Sequence, residues 1–101
     1  MRIVVIGDGK VGRAIIEHIC QEGHEVVVID KNPDVVEEMI NKFDVMGITG
    51  NGASYEILEN AGVSRSDLVI ASTSSDELNI LSCIFAMKLG AKATVARVRS
   101  F

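Results

Sequence analysis

Three glycines stand near the start of the chain at the spacing G-x-G-x-x-G: Gly7-Asp8-Gly9-Lys10-Val11-Gly12 follows directly on the apolar run Ile3–Ile6. Such a spacing serves the gripping of a diphosphate by main chain. Gly7 permits the tight turn out of a strand. Gly9 has no Cβ to hold a pyrophosphate off the backbone, and Gly12 lets a helix pack close on the sheet. Lys10 and Val11 lie between them at the helix start, where free N–H groups and a partial positive charge meet an anion. Lys10 either adds charge toward a phosphate or lies along the surface, and Asp8 is expected to turn its carboxylate away. A plain strand-to-helix turn could use the same residues, but three glycines cost backbone entropy that such a turn does not require.

The second chemical signal is Asp30, which follows Val26–Ile29 and stands 18 residues beyond Gly12. A carboxylate at such a strand end accepts hydrogen bonds from adenosine ribose hydroxyls and repels a 2′-phosphate, disfavouring NADP. Lys31 beside it weakens that discrimination. Asp30 could instead simply begin the turn into Asn32-Pro33. Two further loops follow apolar runs: Gly50-Asn51-Gly52 and Ser72-Thr73-Ser74. Asn51 either contacts the base or its ribose, or forms a bare Asn-Gly turn. Thr73 and Ser74 can donate to phosphate or ribose, but Ser74 is expected chiefly as a helix cap, with Glu77 at capping-box spacing.

These residues need a scaffold that brings distant loops to one edge. Ile3–Ile6, Val26–Ile29, Val45–Ile48, Leu68–Ala71 and Thr94–Val98 read as five short strands, rich in β-branched residues as buried parallel strands are. Four helices lie between them. The first, about Val11–Gln21, carries Val11, Ala14, Ile15 and Ile19 at helical spacing and ends at Gly23. The second starts at Asn32-Pro33, a cap followed by proline at the first helical position, with Val35, Val36, Met39 and Ile40 as its buried stripe. The third carries Ile57, Leu58 and Ala61 and stops at Gly62. The fourth spans Asp76–Leu89. Strand–helix alternation with right-handed crossovers predicts an α/β fold: a Rossmann-like doubly wound parallel sheet, strand order 3-2-1-4-5, with helices on both faces. Ligands of such sheets bind outside the carboxyl ends of the strands at the switch in order, where all these loops fall.

The fourth helix carries more apolar residues than one sheet-covering stripe requires. A second face of Ile80, Ile84 and Met87 is expected to pack on another subunit or another part of the same protein, unless neighbouring loops bury it.

Composition excludes several alternatives. At 101 residues the chain is long enough for one domain, 1–101. A net charge of −4, with one tyrosine, three phenylalanines and no tryptophan, argues against nucleic-acid binding. No apolar stretch is long enough to span a membrane. With no signal-peptide pattern either, a cytoplasmic location is expected. Cys20 and Cys83 are far apart and expected to be reduced and packed. His18 and His24 have no carboxylate or nucleophile at a telling spacing, and no catalytic or metal-ligand set appears. The expectation is a sensor rather than an enzyme. The cofactor domain of an NAD-dependent dehydrogenase and an assembly module with a vestigial site remain open alternatives.

The chain also resembles a known family: the N-terminal lobe of TrkA-like RCK (regulator of potassium conductance) domains, the regulatory subunits of Trk-type potassium uptake. The resemblance rests on Arg2–Gly12, Val28-Ile29-Asp30, Gly50-Asn51-Gly52, Ser72-Thr73-Ser74-Ser75-Asp76-Glu77-Leu78-Asn79 and Ala96-Arg97-Val98-Arg99. It implies binding of NAD(H), or of ATP, ADP or AMP, at a site lined by Gly7, Gly9, Gly12, Asp30, Asn51, Thr73 and Arg97. Many relatives have Asp where Asn51 stands. It further implies homo-oligomeric rings at the inner face of the membrane that gate a potassium channel or transporter. The family lobe continues into a sixth strand, a crossover helix and often a further ligand domain, which this sequence does not contain.

Overall fold

The run Ile3–Ile6 is buried along its whole length, because it forms the middle of a sheet covered on both sides. The computed structural model describes residues 1–7 and 9–99, Lys10 by its backbone alone. The expectations for the Asp8 and Lys10 side chains lie outside the described residues. In chain order come β1 (Arg2–Ile6), α1 (Lys10–Cys20), β2 (Glu25–Asp30), α2 (Pro33–Lys42), β3 (Met46–Thr49), α3 (Tyr55–Asn60), a 3-10 turn (Val63–Arg65), β4 (Leu68–Ala71), α4 (Asp76–Leu89) and β5 (Thr94–Ala96). The strands form one parallel sheet in the order β3-β2-β1-β4-β5. This is the expected Rossmann-like doubly wound α/β fold.

Alternation along the strands divides the core in two. Ile3, Val5, Val26 and Val28 pack with Ile16 of α1 and Met39 of α2. Val4, Ile6, Val27, Ile29, Val69 and Ala71 pack with Leu58 of α3 and Cys83 and Ala86 of α4. Each fully buried Val, Ile or Leu contributes roughly 1.5–3 kcal/mol, so the two layers are what hold the strand ends in place.

Local signals account for most boundaries. Asn32 caps α2, its side chain accepting from Asp34 N at 3.0 Å, with Pro33 at the first helical position. Gly62 takes the left-handed conformation after α3, φ +76°, open to glycine without strain.

Several expectations need correction. The buried ridge of α1 is centred on Gly12 and Ile16, and Val11 and Ala14 lie exposed on its outer flank. Apolar residues surround much of this helix, and the missing Cβ of Gly12 decides which line sits on the sheet. Ile40, at 45% exposed, lies outside the stripe of α2, over the edge strand β3, where the sheet no longer covers it. The last strand ends at Ala96 rather than Val98: Arg97 N still donates to Ala71 O at 2.9 Å, but Arg99 N turns to the Asp76 carboxylate at 3.2 Å.

The fourth helix spans the expected Asp76–Leu89, and its inner side is small and polar: Asn79, Ser82, Cys83 and Ala86 are buried. Ile80, Ile84 and Met87, at 45%, 47% and 51% exposed, form the outer face. Among the described residues no helix is long and apolar enough to cross a membrane.

Candidate functional site

Parallel register brings the functional loops together. Ile6 is opposite Ile29 on one side and Ala71 on the other, so β1, β2 and β4 release the chain at one level. Three hydrogen bonds extend these ladders into the loops: Gly7 N to Ile29 O at 2.7 Å, Gly50 N to Asp30 O at 2.9 Å and Ser72 N to Ile6 O at 2.8 Å. Between the loops lies a cleft of about 420 Å³, lined by Ile6, Gly7, Gly9, Ile29, Asp30, Lys31, Gly50, Asn51, Gly52, Thr73, Ser74, Ser75 and Leu78. That size falls within the range of small-molecule sites.

The three glycines separate by role. Gly7 has φ +79°, and a Cβ there would sit within 3.0 Å of Thr73. A Cβ on Gly12 would meet Gly7 O at 2.6 Å and Ser72 Oγ at 2.7 Å. The fold itself demands both. Gly9 differs: its φ of −46° lies outside the left-handed region that favours glycine, and among the described residues an added Cβ would find Ser72 O, 3.8 Å away. Among the described residues, no packing contact requires glycine at this position. The space that a side chain would take belongs to the cleft.

Helix α1 begins there at Gly9, a cap position with no side chain of its own. Side chains of Asn32, Ser54 and Ser75 cap α2, α3 and α4, and each of those helices has an acidic residue in its first turn. Gly9 makes no such bond at α1, whose first turn, among the described residues, holds no acid. Its leading N–H groups and partial positive charge lie at the end of the cleft that Gly9 lines. Asp30 is half-buried on the wall formed by β2, and its Oδ1 accepts from Asn32 N at 2.9 Å. It thus serves the turn into α2 while lining the cleft. An anion-accepting end and a carboxylate wall in one cleft match a nucleotide, with its phosphates at the first and ribose hydroxyls at the second.

Seven predicted residues come together here: Gly7, Gly9, Asp30, Lys31, Asn51, Thr73 and Ser74. Gly12 lies beneath them as a packing residue. Val11 lies elsewhere, on the outer flank of α1 beside Ala14, Ile15, His18 and Ile19. Arg97 is not among the lining residues; its carbonyl accepts from Asn79 Nδ2 at 2.9 Å. Asn51 Oδ1 accepts from Ala53 N at 2.8 Å, closing the turn over Gly52.

The cap of α4 is Ser75, whose Oγ accepts from Leu78 N at 3.2 Å, and not Ser74. Asn79 holds Thr73 through its amide, so the helix starts one residue later than Glu77 suggests. Ser74 is left exposed at the rim. Thr73 Oγ1 donates to Asn79 Oδ1 at 2.6 Å and accepts from Ser75 N at 3.2 Å. Its proton is therefore engaged within the protein.

The sequence reading missed Leu78, Ser72 and Asn79. Leu78 supplies an apolar lining. Ser72 Oγ donates to Gly7 O at 2.9 Å and fixes the glycine turn. A signal for Asn79 was present: it is a polar residue on the stripe that Ser82, Cys83 and Ala86 continue toward the sheet. Burial pushes the Cys83 thiol above its ordinary range, which keeps it protonated and inert. Among the described residues no cluster of His, Cys, Asp or Glu could hold a metal ion.

The chain is similar to known proteins. The family model described as the TrkA-N domain matches residues 3–101. A Trk system potassium uptake protein TrkA homolog from Archaeoglobus fulgidus is 39% identical over 100 residues, covering 99% of this chain and 22% of that protein. The chain thus spans about a fifth of that curated relative. Among solved structures, the Kef CTD of Shewanella denitrificans in its AMP-bound form superposes with a TM-score of 0.80 at 16% identity, covering 94% of this chain and 57% of that one. The GsuK channel bound to NAD does so with a TM-score of 0.77 at 18% identity, covering 93% and 21%. These structural likenesses establish the fold.

Proposed function

The chain belongs to the TrkA-N domain family, and from that premise we propose that it is a nucleotide-sensing regulatory domain which binds NAD(H), or ATP, ADP or AMP, and acts on a potassium channel or transporter. The observation that carries this reading is the pairing across one cleft of Gly9, where no packing contact among the described residues requires glycine, with the carboxylate of Asp30. Gly7, Gly9 and the N–H groups of Lys10, Val11 and Gly12 would hold the diphosphate. Asp30 would take the ribose, with Asn51 and Leu78 beside the base. The nucleotide itself supplies no chemistry here; its phosphates and sugar are handles that the chain grips.

The domain, residues 1–101, works on the cytoplasmic side, reaching the membrane through its partner. Copies of it assemble through the outer face of α4, where Ile80, Ile84 and Met87 are exposed. Nucleotide states act by population shift, each favouring one arrangement of paired lobes according to its differential affinity. A thousandfold difference would supply about 4 kcal/mol. The relative's name points to potassium uptake rather than to an enzymatic activity, in keeping with a domain that senses its ligand without transforming it.

Mass spectrometry of nucleotide co-purifying with the native protein tests the reading first, and thermal melts with NAD, ADP, ATP and AMP test it second. A ligand at 100 times its dissociation constant adds about 2.7 kcal/mol of stability. No bound nucleotide, and an unchanged melting temperature in millimolar concentrations of all four, would leave only an assembly module with a vestigial site.

A further inference from the structure

Asn79 is fully buried, yet all of its hydrogen-bonding capacity is directed at the two segments beside the cleft. Its Oδ1 accepts from Thr73 N at 2.8 Å and from Thr73 Oγ1 at 2.6 Å. Its Nδ2 donates to Thr73 O at 3.1 Å and to Arg97 O at 2.9 Å. Two donors and two acceptor sites are the whole inventory of an amide side chain. The arrangement also fixes the amide's orientation, since Thr73 N–H can only donate and the two carbonyls can only accept.

Asn79 therefore grips one residue by its N–H, its carbonyl and its hydroxyl, and that residue backs the glycine turn. A Cβ placed on Gly7 would lie 2.8 Å from Thr73 Cγ2 and 2.9 Å from Thr73 Cα. The chain of contacts runs from Asn79 to Thr73 to Gly7 and ends at the turn that opens α1. Asn79 itself does not line the cleft. The other wall, built by Asp30 and Asn51 on the loops after β2 and β3, makes no contact with it among the bonds of this network.

We propose that Asn79 is the positioning residue for the diphosphate half of the nucleotide site. It holds the β4–α4 loop and the exit of β5 in the one arrangement that leaves the glycine turn open to phosphate. The proposal rests on the nucleotide reading of the cleft and adds a division to it: the diphosphate end depends on Asn79, and the adenosine end does not.

Calorimetry with ADP and with adenosine as separate probes, on the full 101-residue chain, tests this division. Asn79→Asp and Asn79→Leu are nearly isosteric. The first turns a carboxylate toward two carbonyl oxygens, and the second leaves Thr73 N–H, Thr73 O and Arg97 O without this partner. Each is expected to weaken ADP at least tenfold and to leave adenosine unchanged. Ser66→Ala is the stability control: its buried hydroxyl donates to Val63 O at 2.7 Å, near the opposite end of β4, and its loss should move neither ligand. A second readout needs no variant. The side-chain amide resonances of Asn79 in the wild-type chain should shift with ADP and stay still with adenosine.

Undiminished ADP affinity in a folded Asn79 variant would overturn the proposal. So would parallel losses of ADP and adenosine, or amide resonances that ignore ADP while it binds. A wild-type chain that binds neither probe would remove the nucleotide site itself, a different failure with a different signature.

Discussion

A single methyl group separates the two kinds of glycine in the opening loop. At Gly9, among the described residues, the added Cβ of alanine meets Ser72 O, 3.8 Å away, and φ is negative, outside the region that favours glycine. Alanine is a poorer N-cap than glycine by up to about 1 kcal/mol. The reduced entropy of the unfolded chain returns about 0.4–1 kcal/mol. Gly9→Ala should therefore melt within about 2–3 °C of wild type, since 1 kcal/mol corresponds to roughly 5 °C in a domain of this size. At Gly12 the same methyl would stand 2.6 Å from Gly7 O and 2.7 Å from Ser72 Oγ. Overpacking of that kind costs about 1–3 kcal/mol, so Gly12→Ala should melt roughly 5–15 °C lower. Binding runs the other way. The methyl of Gly9→Ala occupies the approach to the α1 N-terminus, and loss of two charge-assisted bonds there, at about 1.5–3 kcal/mol each, amounts to about a hundredfold or more in affinity. Differential scanning fluorimetry with and without ADP measures both effects on the same samples. Gly9→Ala should keep its melting temperature and lose its ligand shift. Wild-type binding by Gly9→Ala, or a melting temperature as low as that of Gly12→Ala, would refute the reasoning.

Asp30→Ala should weaken NAD and ATP alike, by about 1–3 kcal/mol in calorimetry, because both present a ribose to this carboxylate. Ile84→Arg places a charge on the outer face of α4; sedimentation equilibrium should then report a monomer, with the melting temperature within about 3 °C of wild type. Asp67, which accepts from Arg2 N at 2.8 Å and pairs with Lys92 at 3.2 Å, has its carboxyl held below the ordinary range, first by that backbone bond and then by Lys92. A depressed folded value means stability that is present above the unfolded pKa near 4 and lost as pH falls through the folded one. Asp67→Asn should therefore flatten the acid limb of a melting temperature versus pH curve, and an unchanged limb would contradict that assignment.

Much of the architecture was legible because it depends on neighbours in sequence. Short β-branched runs set the strands, Asn32-Pro33 set the start of α2, and the order of alternation set the topology. The cleft followed from that topology, since parallel register forces the loops after β1, β2 and β4 to one edge. What sequence concealed depends on distant contacts. Ser74 and Ser75 are equally good caps in isolation, and the choice between them is made by Asn79 reaching back to Thr73. The seat of α1 is chosen by Gly12 from a helix that is apolar on several sides. Ile40 looks like core until the sheet is seen to end beneath it. The meaning of each glycine in the opening motif was hidden as well, because two of them answer to the carbonyl of Gly7, to Ser72 and to Thr73, whose positions only the folded chain reveals.

Every wall of the cleft hangs from the same plate of strands. A pocket between two domains can shut like a jaw, and its occupant is reported by the angle of the hinge. Here the register that aligns Ile6 with Ile29 and Ala71 leaves no hinge between the two sides. On the proposed reading, an occupant would be felt instead as a change in what the rim presents outward, and a second body seated over that rim, rather than the domain's own bending, would become the reader of the signal.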